Sequence, residues 1–414
     1  MEFEMKRSFL CVMALAAFLF LGGCLGGGGS PANTPTNVSV VAGDSSAIVT
    51  WDMLPGVDYW IYRAAGTGVT TQNCITMPQC QTTVNAVSPA VIGGLFNGTT
   101  YSFTMNGRSG GASGGPGTPS VSIVPRLAGS VWSSGSPIGA NDLRGVAYGG
   151  QTTTILANTF IAAGANGALF SSIDGKTWTA LTSPLPTANF NAVGYSNGNF
   201  LVAGAGGVLL LSSNAVGWVQ EASPTTNDLY AVASNGTGGF VAVGANGTII
   251  SSGNGSTWAT VTSGTSNNLY GATYGNGRYV VVGARGTLLT SIDGINWQAI
   301  ASLNSQDLKG VAFGASTLYD VSTFVAVGAG GVLETSPDGL TWTLQASIPS
   351  LMLNAVAYGH QFISVDNNGD IFTSVDGINW QLQPFVASVP IYAITNSLYA
   401  YSAVGGAGGN WYSM

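Results

Sequence analysis

A seven-residue segment recurs along the chain and constrains its fold more than any other feature. Residues 374–380 are Ser-Val-Asp-Gly-Ile-Asn-Trp, and residues 291–297 differ from them at one position only. Related segments end at six tryptophans, which are Trp178, Trp218, Trp258, Trp297, Trp342 and Trp380. Successive tryptophans are 40, 40, 39, 45 and 38 residues apart. A period near 40 residues with short strands predicts repeated four-stranded sheets.

Each repeat has the same internal order. An inner strand comes first, a second strand ends at a glycine turn, and a third strand leads into the recurring segment. Asp-Gly or Asn-Gly in that segment suits a tight turn, after which the tryptophan introduces a fourth strand. The inner strands are predicted to begin at Leu143, Phe190, Leu229, Leu269, Leu308, Leu353 and Ile391. The order therefore predicts seven units within residues 127–414.

The two ends of this region complement each other. The last unit ends without a fourth strand, whereas Gly129-x-x-Trp132, before the first inner strand, has the spacing of Gly175-x-x-Trp178. We expect the N-terminal end of the region to supply the missing outer strand. Such a strand would close the ring and remove its exposed edges.

The recurring segments resemble the Asp-box, or BNR, repeat of sialidases and related β-propellers. This resemblance implies a seven-bladed β-propeller in which the Asp or Asn caps its own turn and the Trp packs between strands. The residues in that structural role would be Asp174, Asn214, Asn254, Asp293, Asp338 and Asp376. The same side chains are therefore poor candidates for catalysis.

Residues 34–126 contain alternating strands and turn clusters of the all-β type. Leu95, Gly98, Thr99 and Tyr101 form the pattern L-x-x-G-T-x-Y, and Trp51 lies on an early strand. This pattern resembles the tyrosine corner of fibronectin type III domains. The resemblance implies a small sandwich, of a kind that usually acts as a spacer, so that the whole chain is predicted to be all-β.

Residues 1–23 have the pattern of a lipoprotein signal peptide. A basic start precedes an apolar run over residues 9–21, which is too short to span a bilayer. Leu21-Gly22-Gly23-Cys24 resembles the bacterial lipobox, which implies cleavage before Cys24 and lipidation of that residue. The alternative is an ordinary signal peptide with an incidental cysteine.

The residues after Cys24 bear on where the protein is held. Residues 24–33 are rich in glycine and predict a flexible tether. Leu25 stands where the enteric-bacterial sorting rule would place Asp for the inner membrane, so the rule implies the outer membrane. We therefore expect a lipid-anchored protein of the cell envelope, facing either the periplasm or the surface.

Cys74 and Cys80 enclose five residues and predict a local disulfide in an oxidising compartment. A metal site built on this cysteine pair is the alternative. It would need two further ligands, and no histidine or other cysteine lies nearby in the sequence.

The composition narrows the chemistry. Charged residues make up only 7% of the chain and the net charge is −7, which argues against a basic groove for nucleic acid. The resemblance to sialidases implies three converging arginines, but Arg278 aligns on the opposite face from Arg144 and Arg285. Glu221 and Glu334 are predicted on outer strands of different units.

Other polar residues have structural interpretations. Asp142, Asp228 and Asp307 share one repeat position before an inner strand, which favours turn caps over the paired carboxylates of a glycosidase. His360, the only histidine, is expected to be solvated in a turn. Residues 365–370 are expected to form a turn rather than a calcium loop. The sequence predicts no catalytic residue, metal or cofactor.

One repeat position varies where its neighbours do not, and it marks a candidate binding ring. The second residue of the inner strand is Arg144, Asn191, Tyr230, Tyr270, Lys309, Asn354 and Tyr392. Seven such side chains would surround one mouth of a central channel, with Arg285 reaching the same face. The alternative is that they only fill the channel.

These observations favour a non-enzymatic binding or scaffold protein with a protein or glycan partner. The architecture resembles the non-enzymatic Asp-box propellers, which include the photosystem II assembly-factor family. The alternative function is a glycan-active hydrolase of the sialidase-like propeller class. Fold alone does not decide between them, because propellers carry both functions.

Overall fold

The computed structural model describes residues 32–110, 114–149, 159–316, 321–350, 352–397 and 400–414. The signal peptide predicted over residues 1–23 and Cys24 lie outside these ranges, as does most of the predicted tether. The described part of the chain is all-β. It contains short 3₁₀ turns at Cys74–Thr76, Ala205–Gly207, Ala245–Gly247, Ala284–Gly286 and Gly406–Gly408.

The N-terminal region consists of two antiparallel sheets. Its strands are β1 (Ser39–Gly43), β2 (Ser46–Thr50), β3 (Val57–Ala65), β4 (Gln81–Ala86), β5 (Ala90–Gly93), β6 (Tyr101–Ser109) and β7 (Val121–Ile123). One sheet has the order β1-β2-β5 and the other the order β4-β3-β6-β7. Their inner faces share a core that contains Trp51, Tyr59, Tyr101 and Phe103. Packing of two sheets around one core makes this region a sandwich.

Seven four-stranded antiparallel sheets follow among the described residues. A short strand, β8 (Ser133–Ser134), precedes them. The sheets contain β9 (Leu143–Gly149), β10 (Thr159–Gly164), β11 (Leu169–Ser172) and β12 (Thr179–Ala180); β13 (Phe190–Ser196), β14 (Asn199–Gly204), β15 (Leu209–Ser212) and β16 (Val219–Gln220); β17 (Leu229–Ser234), β18 (Phe240–Gly244), β19 (Ile249–Ser252) and β20 (Ala259–Val261); β21 (Leu269–Gly275), β22 (Arg278–Gly283), β23 (Leu288–Ser291) and β24 (Gln298–Ile300); β25 (Leu308–Ser316), β26 (Val321–Gly328), β27 (Leu333–Ser336) and β28 (Thr343–Leu344); β29 (Leu353–Tyr358), β30 (Phe362–Asp366), β31 (Asp370–Ser374) and β32 (Gln381–Val386); and β33 (Ile391–Asn396), β34 (Tyr401–Gly405) and β35 (Asn410–Ser413) with β8. We number these sheets one to seven in that order.

The sheets form a closed ring. The first strand of each sheet contacts the first strand of the next, and β33 of sheet seven contacts β9 of sheet one. Sheet seven is completed by β8, since Trp411 pairs with Ser134 and Tyr412 pairs with Ser133. Trp132 is buried beside this strand, and its indole N–H donates to the Gly129 carbonyl over 3.0 Å. The outer strand of the last sheet thus comes from the N-terminal end of the region.

Two faces of the ring can be distinguished. We call the face where the first strands begin the ring face, and the opposite one, where they end, the turn face. The recurring heptads lie between third and fourth strands and therefore on the turn face. The apolar residue that begins each first strand is fully buried in all seven sheets, which anchors the ring face to the core between sheets.

The sandwich contacts the turn face through a buried polar junction. Asp44 is 2% exposed, and its carboxylate lies 2.6 Å from Nδ1 of His360 and accepts a hydrogen bond from the Ala128 N–H. Gln361 donates to the Ala128 carbonyl, and the Gly129 N–H donates to Ser413 Oγ. His360 is exposed in a turn, as predicted, but its imidazole also contacts the buried Asp44, which the sequence did not predict.

Candidate functional site

The seven side chains of the predicted ring line one central cavity of about 170 Å³. They are Arg144, Asn191, Tyr230, Tyr270, Lys309, Asn354 and Tyr392. Small and β-branched residues of the same strands form the wall below them, such as Gly145, Ala231 and Val356. The mouth of the channel is therefore polar and aromatic, whereas its wall is apolar.

A β-bulge explains why these side chains enter the channel. In every sheet the register between the first two strands shifts near the start of the first strand. Residues one and three of that strand each have a partner on the second strand, whereas residue two is skipped. The skipped residue is the ring residue each time. A bulge turns the extra side chain away from the ladder, and bulges recur beside functional sites for this reason.

Six of the seven sheets have a glycine opposite the bulge, and this glycine has a steric cause. A Cβ at Gly244 would lie 1.9 Å from the Asp228 carbonyl oxygen, and Gly164 and Gly405 are equally close to the corresponding backbone. Sheet six has Asp366 at this position, where its carboxylate accepts bonds from the Asn368 and Asp370 N–H groups. Residues 367–369 thus form the turn between β30 and β31, within the segment where a turn was predicted.

Aromatic and cationic side chains are stacked on one side of the ring. The rings of Tyr230 and Tyr270 are 5.8 Å apart, and Nζ of Lys309 lies 3.4 Å from the centroid of the Tyr270 ring. The same ammonium is 3.0 Å from the carboxylate of Asp307. Burial, with the nearby charge of Asp228, raises the pKa of Tyr230 above 10, so the phenol stays neutral at physiological pH.

The asparagines of the ring join neighbouring sheets. The amide of Asn191 donates to the Leu229 carbonyl over 2.9 Å, and the amide of Asn354 donates to the Ile391 carbonyl over 2.8 Å. Both acceptors belong to the first strand of the next sheet. These two positions therefore hold the ring together, which accords with the alternative that part of it only fills the channel.

The aspartates of the ring face serve as caps between sheets. Asp142, Asp228 and Asp307 each accept a hydrogen bond from the backbone of a glycine turn in the preceding sheet, over 3.1, 2.8 and 3.0 Å. Asn189 and Asn268 make the same bond in two other sheets. Because the same Asp or Asn cap recurs in five sheets, its cause is structural. These three carboxylates are therefore not arranged as the acid and base pair of a glycosidase.

Arg285 lies on the ring face but does not line the cavity. Its backbone N–H donates to Asp307, and it adopts the left-handed conformation with φ of 55°. Its side chain is exposed. Arg278 instead begins β22 at the turn face and donates to Thr290 Oγ1, so the three arginines do not converge.

The recurring heptads have a structural geometry. In each, one oxygen of the Asp or Asn accepts the backbone N–H groups two and three residues later, as in Asp174, Asn214, Asn254, Asp293, Asp338 and Asp376. These backbone bonds lower the pKa of Asp293 and Asp338 below 3.8. The side chains are thus occupied by their own turns.

Glu334 departs from the repeat. The prediction that it lies on an outer strand is wrong, since β27 is the third strand of sheet five. Its carboxylate is completely buried and accepts bonds from Ser302 Oγ and the Asn304 amide. Apolar residues, such as Leu210 and Ile250, hold this position in other sheets. Glu334 therefore fastens the loop that leads to Asp307.

The remaining candidate residues lie elsewhere. Cys74 and Cys80 are joined in a disulfide in the sandwich, with their Cα atoms 5.4 Å apart. The described residues contain no group of three His, Cys, Asp or Glu side chains that could hold a metal ion. They also contain no helix long and apolar enough to cross a membrane.

Comparisons with known proteins support the fold. The sequence matches no protein-family model and no curated protein sequence. Among solved structures, YCF48 from Cyanidioschyzon merolae is 18% identical with a TM-score of 0.54, covering 68% of this chain and 98% of its own. YCF48 bound to D1 peptide gives the same identity and TM-score and covers 68% of this chain and 94% of its own.

Virginiamycin B lyase from Staphylococcus aureus is 10% identical with a TM-score of 0.58, over 69% of this chain and 99% of its own. The repeat region of this chain thus has a β-propeller fold. At such low identity the likeness extends to the fold alone.

Proposed function

We propose that this protein is a non-enzymatic binding or scaffold protein whose ring face holds a segment of a partner protein. One observation carries the proposal. Seven bulged side chains converge on the open mouth of the channel, on the face opposite the junction with the sandwich. The sandwich therefore leaves the ring face uncovered within the described part of the molecule.

The size of the cavity limits what it holds. Pockets for small molecules usually measure about 300–1,000 Å³, whereas this one measures about 170 Å³. Such a volume suits one side chain or the end of a chain, with further contacts on the surrounding rim. A propeller of similar fold, YCF48, has been solved with D1 peptide, which supports a peptide segment as the ligand class.

The alternative of a glycan-active hydrolase has no observation in its favour. Asp142, Asp228 and Asp307 are bound to backbone N–H groups. The single histidine lies at the junction on the turn face. A glycan partner without catalysis remains an outcome of the experiment below.

The setting of the binding face is part of the proposal. We propose seven blades, with residues 34–126 as a fibronectin type III-like spacer and residues 24–33 as its tether. Ala32 lies against Gly107 and Gly115, at the end of the sandwich remote from Asp44 and the propeller. A lipid anchor on Cys24 in the outer membrane would therefore hold the sandwich between the membrane and the propeller.

Cys24→Ser is expected to move the protein from the membrane fraction to the soluble fraction, because the lipid would be lost. Fractionation and detergent partitioning of the full chain measure this change. Cys74→Ser, which leaves the lipobox intact, is the matched control and should remain with the membrane. Unchanged partitioning of the Cys24 variant would overturn the proposed anchor.

The binding function is tested by cross-linking at one chosen position. A photoreactive phenylalanine derivative at Tyr392 is expected to capture a protein from the native envelope. The same group at Ile292, exposed on the turn face, is the control and should not capture it. A glycan array with residues 32–414 runs in parallel. Equal capture from both faces, or glycan binding alone, would contradict a protein ligand at the ring.

A further inference from the structure

Asp142, Asp228 and Asp307 hold the same repeat position on the ring face, and two of the three are paired with a cation of their own sheet. The Lys309 ammonium lies 3.0 Å from Asp307 and also covers the ring of Tyr270 from the preceding sheet. Arg144 lies 3.8 Å from Asp142. Both Asp142 and Arg144 act on Tyr392 of the preceding sheet through their charges. Each set consists of a carboxylate, a cation two residues later and a neighbouring tyrosine.

The third aspartate lacks this cation. Asp228 makes no ion pair among the described residues, and the residue two positions later is Tyr230 instead of Lys or Arg. One carboxylate oxygen accepts the Gly206 N–H over 2.8 Å. Asp228 therefore carries an uncompensated negative charge beside an aromatic surface formed by Tyr230 and Tyr270.

The positive charges of this face lie on other sheets. Arg285 is exposed near Asp307, which Lys309 already neutralises, so sheets four and five carry an excess positive charge. Sheet three carries the excess negative charge of Asp228. Sheet six adds the carboxylates of Asp366 and Asp370 to the same face, and neither makes an ion pair among the described residues, so the charges of the ring face do not balance and the excess is negative.

We propose that Asp228, Tyr230 and the cavity beside them take a lysine or arginine side chain of the partner protein. This proposal rests on the proposed function and names the group that the ring recognises. The partner's cation would complete at sheet three the set that Lys309 and Arg144 complete at sheets five and one. An ammonium or guanidinium gains from a tyrosine face and from a carboxylate in the same site.

A substitution of Asp228 by Asn would remove the negative charge and keep the hydrogen bond to the backbone. Asn189 and Asn268 make the same backbone bond as Asp228 in neighbouring sheets. Asp228→Asn is therefore expected to fold normally. The matched control is Asp174→Asn on the turn face, because Asn214 and Asn254 hold the equivalent heptad position. Both variants lose one negative charge, but only one loses it from the ring.

The probe is the capped tripeptide acetyl-Gly-Lys-Gly-amide, with norleucine in place of lysine as the neutral comparison. Binding to residues 32–414 is followed by NMR titration. We expect the lysyl peptide to bind and the norleucyl peptide not to bind. Asp228→Asn should weaken binding of the lysyl peptide about tenfold, because the peptide ammonium would lose its carboxylate partner. A tenfold change in affinity corresponds to about 1.4 kcal/mol. Asp174→Asn should not change it.

Tyr230→Lys provides a second variant. It places a lysine two residues after Asp228, as Lys309 follows Asp307, and should abolish lysyl-peptide binding by filling the site. Equal binding of both peptides, or unchanged binding to both ring variants, would overturn the inference.

The cross-link at Tyr392 tests the proposed function separately. If Tyr392 captures a partner equally in the presence of Asp228→Asn, this inference fails and the proposed function stands.

Discussion

A chain that lacks residues 127–134 is expected to lose its cooperative thermal transition and to aggregate. The deletion removes β8, which pairs with Trp411 and Tyr412. It also removes Trp132, which packs in the same core as Tyr401 and Ile363. The outer edge of β35 would then expose unpaired N–H and C=O groups, and such edges associate with other chains. Calorimetry with light scattering measures both effects.

A point variant separates closure of the ring from the loss of a linker. Trp132→Ala is expected to destabilise the protein by about 3–5 kcal/mol, the usual cost of removing a buried tryptophan. Trp258→Ala, in the middle of the ring, is the matched control, since Trp258 also donates its indole N–H to the glycine three residues earlier. Closure predicts similar losses for the two. A nearly neutral Trp132→Ala would show that β8 is dispensable.

Most of the propeller could be predicted because its determinants repeat. The buried residue that begins each first strand, the glycine turn and the heptad recur in the sequence with a period near 40 residues. A periodic constraint is visible without an alignment, since each copy serves as a comparison for the others. The ring residues stood out for the converse reason, because they vary where their neighbours do not.

The parts that escaped prediction occur once. Asp44 and His360 are 316 residues apart and meet only after both domains have folded. No spacing or motif connects them. Glu334 could have been noticed, since it interrupts a position that is apolar in other sheets, but its contact with Ser302 and Asn304 depends on a loop of the neighbouring sheet. The charge difference between the two sides of the ring likewise required the geometry.

Asp44→Ala is expected to destabilise the junction between sandwich and propeller by about 2–4 kcal/mol, because removal of the buried carboxylate would leave its hydrogen-bond donors without a partner. Those donors are His360 Nδ1, the Ala128 N–H, the Asn97 amide and the Ser45 hydroxyl. The two domains should then unfold in separate calorimetric transitions. Asp58→Ala, on an exposed site of the sandwich, is the matched control and should behave as the unaltered protein.

The pH dependence of the same junction follows from two opposite shifts. The hydrogen bond to Asp44 raises the pKa of His360 above 6.5 against the effect of burial. The stability that the protonated imidazole contributes to the junction is therefore complete below about pH 6.5, and it is lost as the pH rises through the pKa of the folded protein. Burial favours a higher pKa for Asp44, but hydrogen bonds from His360, Asn97 and Ala128 outweigh it and lower the value below 3.8. The stability that the Asp44 carboxylate contributes is lost as the pH falls through its pKa in the folded protein. The junction should therefore be most stable between about pH 4 and 6.5, and protease cleavage of the linker near Arg126 should be slowest there. His360→Gln should remove the change at the alkaline side and keep the one at the acid side. Identical cleavage profiles for the His360 variant and the unaltered protein would contradict this account.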